Sequence, residues 1–184
     1  KSDWEKVGIK VNLSIVDNSL IIRNDKQVYS KVILDLTKLD KDLIWRHLVT
    51  CYRKGTSEII IKYSSKRSLK VIQNFVKDLI GMAIVKQDKN IIIIKDIFDK
   101  NDLNVKETIT KIFRLLIDSS NEVLDAIKEN NKKVLENINL RDYNINKFTN
   151  LCLRILNKYG NYDIDKALSY YKIISILEEV GDEY

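Results

Sequence analysis

Asp142 and Asn146 stand four residues apart, and so do Glu178 and Asp182. Positions four apart share one face of a helix, so two such helices packed side by side would gather three carboxylates and one amide into one oxygen-rich surface. Carboxylates held that close repel one another unless a proton or a cation joins them, which is how helical bundles acquire metal ions. The ion expected of an all-oxygen set with no histidine near it is a hard cation or a carboxylate-bound iron, rather than zinc in a Cys/His cage. Gly181, beside Asp182, would let a backbone or a ligand approach closely. The plainer account of both pairs is that they face water, as most Asp and Glu residues do.

Other chemistry-bearing residues are sparser. Asp118, Glu122, Asp125 and Glu129 follow one another along one helical face; a solvated outer face explains them, and a further acidic wall around a metal is the alternative. His47 is the only histidine and has no Ser, Cys or second His at catalytic spacing, so a structural role is assigned to it. Cys51 and Cys152 lie far apart on apolar helical stretches without a C-x-x-C, as buried free thiols of a reducing cytoplasm do. Neither a G-x-G-x-x-G nor a Walker loop occurs, and five glycines could hardly build one. Tyr143, Tyr159, Tyr162, Tyr170 and Tyr171 fall at helical-face positions and read as packing residues rather than a base-stacking platform.

The elements that must position these residues follow from periodicity. Asn131–Tyr159 carries apolar residues at spacings of three and four, from Val134 and Leu135 to Ile155 and Tyr159, and predicts one long helix. Val105–Glu129 before it and Ile164–Tyr184 after it supply neighbours. Asn104 with Glu107 reads as a capping box, Asn130-Asn131 and Gly160–Asp163 as turns, and the three helices as an up-down-up bundle with one apolar edge left open.

The first half alternates in type. Val11–Ile15 and Leu20–Ile22 predict a hairpin turning at Asp17–Ser19, too small to be stable alone. Then come a strand at Val32–Leu36, a helix at Leu39–Lys54 capped by Asp40 and closed by Gly55, and a strand at Glu58–Tyr63. A helix from Ser65 or Ser68 to about Ile80, stopped by Gly81, precedes a second hairpin, Met82–Val85 and Ile91–Lys95. The fold class expected is α+β: a small α/β sandwich in the order strand, helix, strand, helix, strand, strand, preceded by a hairpin and followed by the bundle. The domain boundaries expected are 1–30, 31–97 and 98–184, with Phe98–Asn104 as a polar connector.

Charge separates the two halves. Residues 1–97 hold 19 Lys and Arg against 11 Asp and Glu, and residues 98–184 hold 13 against 15. A net-positive first half attracts polyanions, nucleic acid first among them. Arg46, Arg53, Lys54, Lys66, Arg67 and Lys70 could form a patch on its helical layer, with a dispersed solvated surface as the competing account. No uninterrupted apolar run exceeds four residues, as at Ile91–Ile94, so no membrane insertion is expected. The chain begins without Met, and both of its ends read as cuts.

Three stretches, Leu79–Val85, Leu140–Phe148 and Ile176–Asp182, together resemble archaeal phosphate-uptake regulators that join an AbrB-type DNA-binding module to PhoU-type helices. The resemblance implies that Trp4–Asn24 is the tail of a swapped-hairpin module completed by a second chain, and that the bundle is part of a PhoU repeat continuing beyond Tyr184. It also implies iron or zinc bound by carboxylates four apart on successive helices. Asp142 matches the first acid, Asn146 replaces the second, Lys147 keeps the basic residue that follows, and Glu178 and Asp182 match on the last helix. The function implied is non-catalytic: regulation of phosphate uptake or of phosphate-responsive transcription by a homodimer. It would contact a transporter component or a signalling kinase, and DNA in an untruncated protein. The alternatives are a DNA-binding regulator whose helices only oligomerise, and a metal-dependent hydrolase or oxidase using the bundle carboxylates.

Overall fold

A computed structural model describes residues 12–16, 19–23, 29–97, 104–136, 139–159 and 164–183. Its first elements are β1 (Asn12–Val16) and β2 (Ser19–Arg23), an antiparallel pair in which Leu13 meets Ile22 and Ile15 meets Leu20. The expected hairpin is present; its turn at 17–18 and the rest of Trp4–Asn24 lie outside the described residues.

A four-stranded sheet follows, built from β3 (Lys31–Asp35), β4 (Glu58–Lys62), β5 (Met82–Gln87) and β6 (Ile91–Asp96) in the order β3-β4-β6-β5. Helix α1 (Lys41–Arg53) makes the crossover between parallel β3 and β4, and α2 (Lys66–Val76) leads into the antiparallel hairpin. The strand, helix, strand, helix, strand, strand order is the expected one. Alternation explains the core: Ile59 faces Ile94 and Ile61 faces Ile92 across β4 and β6, and all four side chains are fully buried under Ile44, Leu48, Tyr52 and Ile72 of the helices. Each such side chain contributes roughly 1.5–3 kcal/mol relative to exposure.

Local chemistry sets the ends of these elements. Asp40 accepts from Leu43 N at 2.8 Å and Ser65 from Ser68 N at 3.1 Å, each satisfying a donor at a helix start. Helix α2 stops at Val76, a turn short of the expected Ile80. Backbone N–H groups of Lys77, Asp78 and Leu79 bond three residues back to Asn74, Phe75 and Val76, tightening the chain before Gly81 at φ 81°. On the sheet, Glu58 is buried yet charged. It accepts from the Tyr29 hydroxyl and pairs with Lys95 at 3.0 Å and Lys31 at 3.3 Å, and these partners, Tyr29 first, hold its pKa down to about 2.

Four helices complete the chain: α3 (Val105–Lys128), α4 (Lys132–Glu136), α5 (Asn139–Tyr159) and α6 (Ile164–Asp182). A multi-helix bundle was expected, but the single helix over Asn131–Tyr159 is two. The short α4 packs back on α3 through half-buried Val134 and Leu135, and α5 begins afresh at Asn139. Asn104 caps α3 through Lys106 N at 2.9 Å. Its side-chain amide meets Glu107, so the reciprocal bond of a full capping box is not made. The turn at Asn130 takes φ 53°, and the expected turn at Gly160–Asp163 lies outside the described residues, as does the connector at 98–103.

The bundle core joins Ile112 and Leu116 of α3 to Ile145, Cys152 and Ile155 of α5 and Ile174 and Leu177 of α6. Four further apolar residues of α3 are exposed: Phe113, Ile117, Leu124 and Ile127. Phe113 and Ile117 border α6. Among the described residues no helix is long and apolar enough to cross a membrane.

Candidate functional site

Helix α5 runs against α6. Ile145, early in α5, lies on Gly181 at the end of α6, where a Cβ would come 3.1 Å from Ile145 Cγ2; Asn157, late in α5, accepts from the hydroxyl of Tyr171, early in α6. The room at Gly181 is thus taken by a neighbouring side chain. This antiparallel contact brings Asp142 against Asp182, where facing water was the plainer expectation. Asn146 Nδ2 donates to both Asp142 oxygens at 3.0 Å. Burial first, then the charge of Asp182 and a hydrogen bond with it, raise the pKa of Asp142 above the usual 3.8, against the lowering pull of Asn146.

Glu178 does not join them. Arg53, at the end of α1, holds it at 3.5 Å and donates through Nε to Asn150 Oδ1 at 2.5 Å. Asn146, for its part, presents its amide N–H groups to Asp142. The expected iron or zinc site of Asp142, Asn146, Glu178 and Asp182 is therefore corrected: among the described residues no group of three or more His, Cys, Asp or Glu side chains is gathered to hold a metal. The cause is tertiary. A cation from the α/β half pairs with one of the three acids and leaves Asp142 and Asp182 against each other.

That pair predicts a pH dependence. In the unfolded chain the Asp142 carboxyl ionises near 3.8, and in the folded chain at higher pH, so across that interval the folded state binds more protons and stability falls as pH rises. Asp142→Asn is expected to remove this fall, so that the variant gains on the parent protein from acid to neutral pH. Urea denaturation at a series of pH values checks it; parallel profiles for the two proteins would refute the assignment.

A denser polar cluster lies where α5 meets the sheet. Asp96, the last residue of β6, accepts from Arg154 Nη2 at 2.6 Å and Lys158 Nζ at 2.5 Å, with the Tyr159 hydroxyl at 3.3 Å. Arg154 is fully buried: its guanidinium also donates to the carbonyls of Tyr52 at 2.9 Å and Thr56 at 3.0 Å and lies 4.8 Å above the Tyr52 ring. Lys158 donates further to Ser57 Oγ at 3.1 Å. Burial, helped by the Asp96 charge, pushes the Tyr159 hydroxyl up to about 12, so it remains a donor at ordinary pH. Every acceptor outside α5 belongs to the α/β half. The cluster is a joint between the two halves.

Of these joint residues only Tyr159 was named from the sequence, and as a packing residue. Arg154 carried a readable signal, a lone charge inside Leu151-Cys-Leu-Arg-Ile-Leu156, with Lys158 one turn later on the same face. Asp96 carried none. Of the basic residues proposed as a patch, Arg53 is committed to the bundle, while Arg46, Lys54, Lys66, Arg67 and Lys70 are exposed on α1, α2 and the turn between α1 and β4. His47 is also exposed on α1 and packs in no core. Tyr143 donates to Asp78 and Tyr171 to Asn157, and Tyr162 lies outside the described residues. Cys51 and Cys152 are buried free thiols, Cys152 pushed up to about 12 by burial. Asp118, Asp125 and Glu129 face solvent, with Glu122 partly covered.

The remaining feature is apolar. Between α3 and α6 runs an open trough of about 400 Å³ lined by Phe113, Leu116, Ile117 and Ser120 on one side and Ile173, Ile176, Leu177 and Val180 on the other. No family model, characterised protein or solved structure matches this chain.

Proposed function

We propose that this chain is a non-catalytic regulator that works by binding other macromolecules through its helical half. The observation that carries the reading is the α3–α6 trough. Contiguous exposed apolar surface of this kind marks a protein contact site, and here it holds Phe113, Ile117, Ile173 and Ile176, each at least 40% exposed. The buried joint at Asp96 supports it as well, since a change in contacts at one half would be felt at the other. Within the regulatory class, the sequence resemblance favours control of phosphate uptake, with a transporter component or a signalling kinase as partner.

Capture on the immobilised protein, from cells grown with scarce and with ample phosphate, tests this. A phosphate-transporter component or its kinase is expected with the parent protein and is expected to be lost with Phe113→Glu and Ile176→Glu together. Recovery of neither, or recovery indifferent to those substitutions, would overturn the reading.

A second reading, DNA binding by the first half, is favoured by the excess of 19 basic over 11 acidic residues in 1–97 and by the exposed Lys54, Lys66, Arg67 and Lys70. It requires affinity that falls steeply with salt as phosphate contacts release counterions. Salt-independent binding, or none at low salt, removes it.

A further inference from the structure

We propose that the open face of the β3-β4-β6-β5 sheet is a docking surface for an acidic amphipathic helix of another protein. This surface belongs to the other half of the chain from the α3–α6 trough, and the two stand or fall separately.

The strands themselves call for a cover. A sheet with one wet face alternates apolar and polar residues, whereas strands covered on both faces read as uninterrupted aliphatic runs. Three of these strands are such runs: Val32-Ile-Leu34 in β3, Ile59-Ile-Ile61 in β4 and Ile91-Ile-Ile-Ile94 in β6. Ile59, Ile61, Ile92 and Ile94 are buried under α1 and α2. The residues between them face the other way. Ile33, Ile60 and Ile93 are register partners from strand to strand and make one aliphatic row across the sheet. Ile33 is 63% exposed, Ile60 and Ile93 are half-buried, and Ile91, opposite Lys62, is 36% exposed.

Charge and spacing identify the occupant. On one flank of the row Glu58 sits between Lys31 and Lys95, its side chain 8% exposed and theirs 49% and 45%. The acid is hidden beneath two outward ammonium groups. Lys62 on the opposite flank and Lys86 at the β5 end of the row are exposed too, Lys86 in a solvated pair with Asp88 at 2.9 Å. Asp35, the exposed acid of these rows, accepts from Thr37 N and Oγ1. An apolar row inside a lysine frame takes a ligand with an apolar stripe and acidic flanks. Neighbouring strands lie about 4.8 Å apart, so the row from β3 to β6 spans about 9.6 Å. Apolar residues at i, i+4 and i+7 of a helix span about 10.5 Å. Such a helix laid across the strands sets one apolar residue on each isoleucine. Single-stranded nucleic acid fits worse, because its bases need aromatic rings to stack on and the row has none.

Amide NMR of the isotope-labelled full chain tests the proposal. The probe is an acetylated peptide of about five helical turns with Leu at i, i+4 and i+7 and Glu on both flanks. Saturable binding is expected, with shifts gathered on β3, β4 and β6. Ile33→Glu is expected to weaken it about tenfold and Lys62→Glu about threefold, with circular dichroism kept because both side chains stand in solvent. The same peptide with Lys in place of Glu is expected to bind about tenfold more weakly. Absence of saturable binding overturns the proposal, as do indifference to Ile33→Glu, equal affinity for the Lys peptide, or tighter binding of a single-stranded oligonucleotide to the same strands. Phe113→Glu with Ile176→Glu is expected to leave the titration unchanged. Shifts that gather on α3 and α6 and vanish in that double variant would overturn the proposal and leave the trough reading standing; peptide binding on the sheet with no phosphate-dependent capture would do the reverse.

Discussion

Asp96→Asn is expected to cost the fold about 3–5 kcal/mol, the range for removing one member of a buried ion pair. The carboxylate is 7% exposed and lies 2.6 Å from Arg154 and 2.5 Å from Lys158, whose side chains are 0% and 8% exposed. Taking its charge away leaves two cations side by side in a site that water does not reach. Arg154 retains the carbonyls of Tyr52 and Thr56, and Lys158 retains Ser57, but neutral acceptors do not replace an anion between two positive charges. Urea denaturation measures the loss. Adding Lys158→Met to Asp96→Asn is expected to recover part of it, because the second change removes one of the stranded charges, and the double-mutant cycle should be non-additive for that reason. A loss of under about 1 kcal/mol for Asp96→Asn would show the cluster to be solvated rather than buried.

Gly55→Ala is expected to cost about 2–4 kcal/mol by two separable routes. Gly55 closes α1 at φ 81°, in the left-handed region where a Cβ is strained, and its N–H bonds the Tyr52 carbonyl. The added Cβ would also come 2.6 Å from Lys158 Cβ and 3.1 Å from Lys158 Cα, so α5 would have to retreat from the turn. That retreat would pull Lys158 and Arg154 from Asp96. Gly81, at the same φ of 81°, is the comparison: Gly81→Ala carries the torsional cost without the Lys158 contact. Thermal and urea unfolding of the two variants should therefore differ, Gly55→Ala being the worse by 1 kcal/mol or more, about one sub-van-der-Waals contact with backbone. Equal losses would mean that α5 does not press on this turn.

The two variants probe a joint that no local pattern announces. Periodicity located every strand of the sheet to within a residue or two, because Ile59, Ile61, Ile92 and Ile94 alternate with residues of the opposite face and that alternation is the pleat itself. It also located the cap at Asp40 and narrowed the next to Ser65 or Ser68, of which Ser65 is the cap; both side chains act within three residues. It misread Asn131–Tyr159 as one helix, since apolar spacing continues in phase across the gap between α4 and α5. It located α3 without deciding its buried face, because Ile112 and Phe113, like Leu116 and Ile117, are adjacent apolar residues and only the neighbouring helices decide which of each is covered.

The acidic set shows the same division. Spacing put each pair on one face of its helix, and the antiparallel packing of α5 on α6 then brought Asp142 to Asp182. It was not enough to make a metal site of Asp142, Asn146, Glu178 and Asp182, because Arg53, almost a hundred residues before Asn150 in the chain, reaches across to Glu178.

By itself the sequence determined the order of elements, the two apolar cores, the buried thiols and the positive bias of the first half. All of these depend on residue type and on separations of a few positions. Only the tertiary structure decided which charges meet: Asp96 with Arg154 and Lys158, Glu178 with Arg53, Asp142 with Asp182. It also decided which apolar face of α3 is left bare. Those outcomes depend on the distance between elements remote in the chain, and a charge in a low-dielectric joint takes its energy from whatever lies within a few ångströms of it.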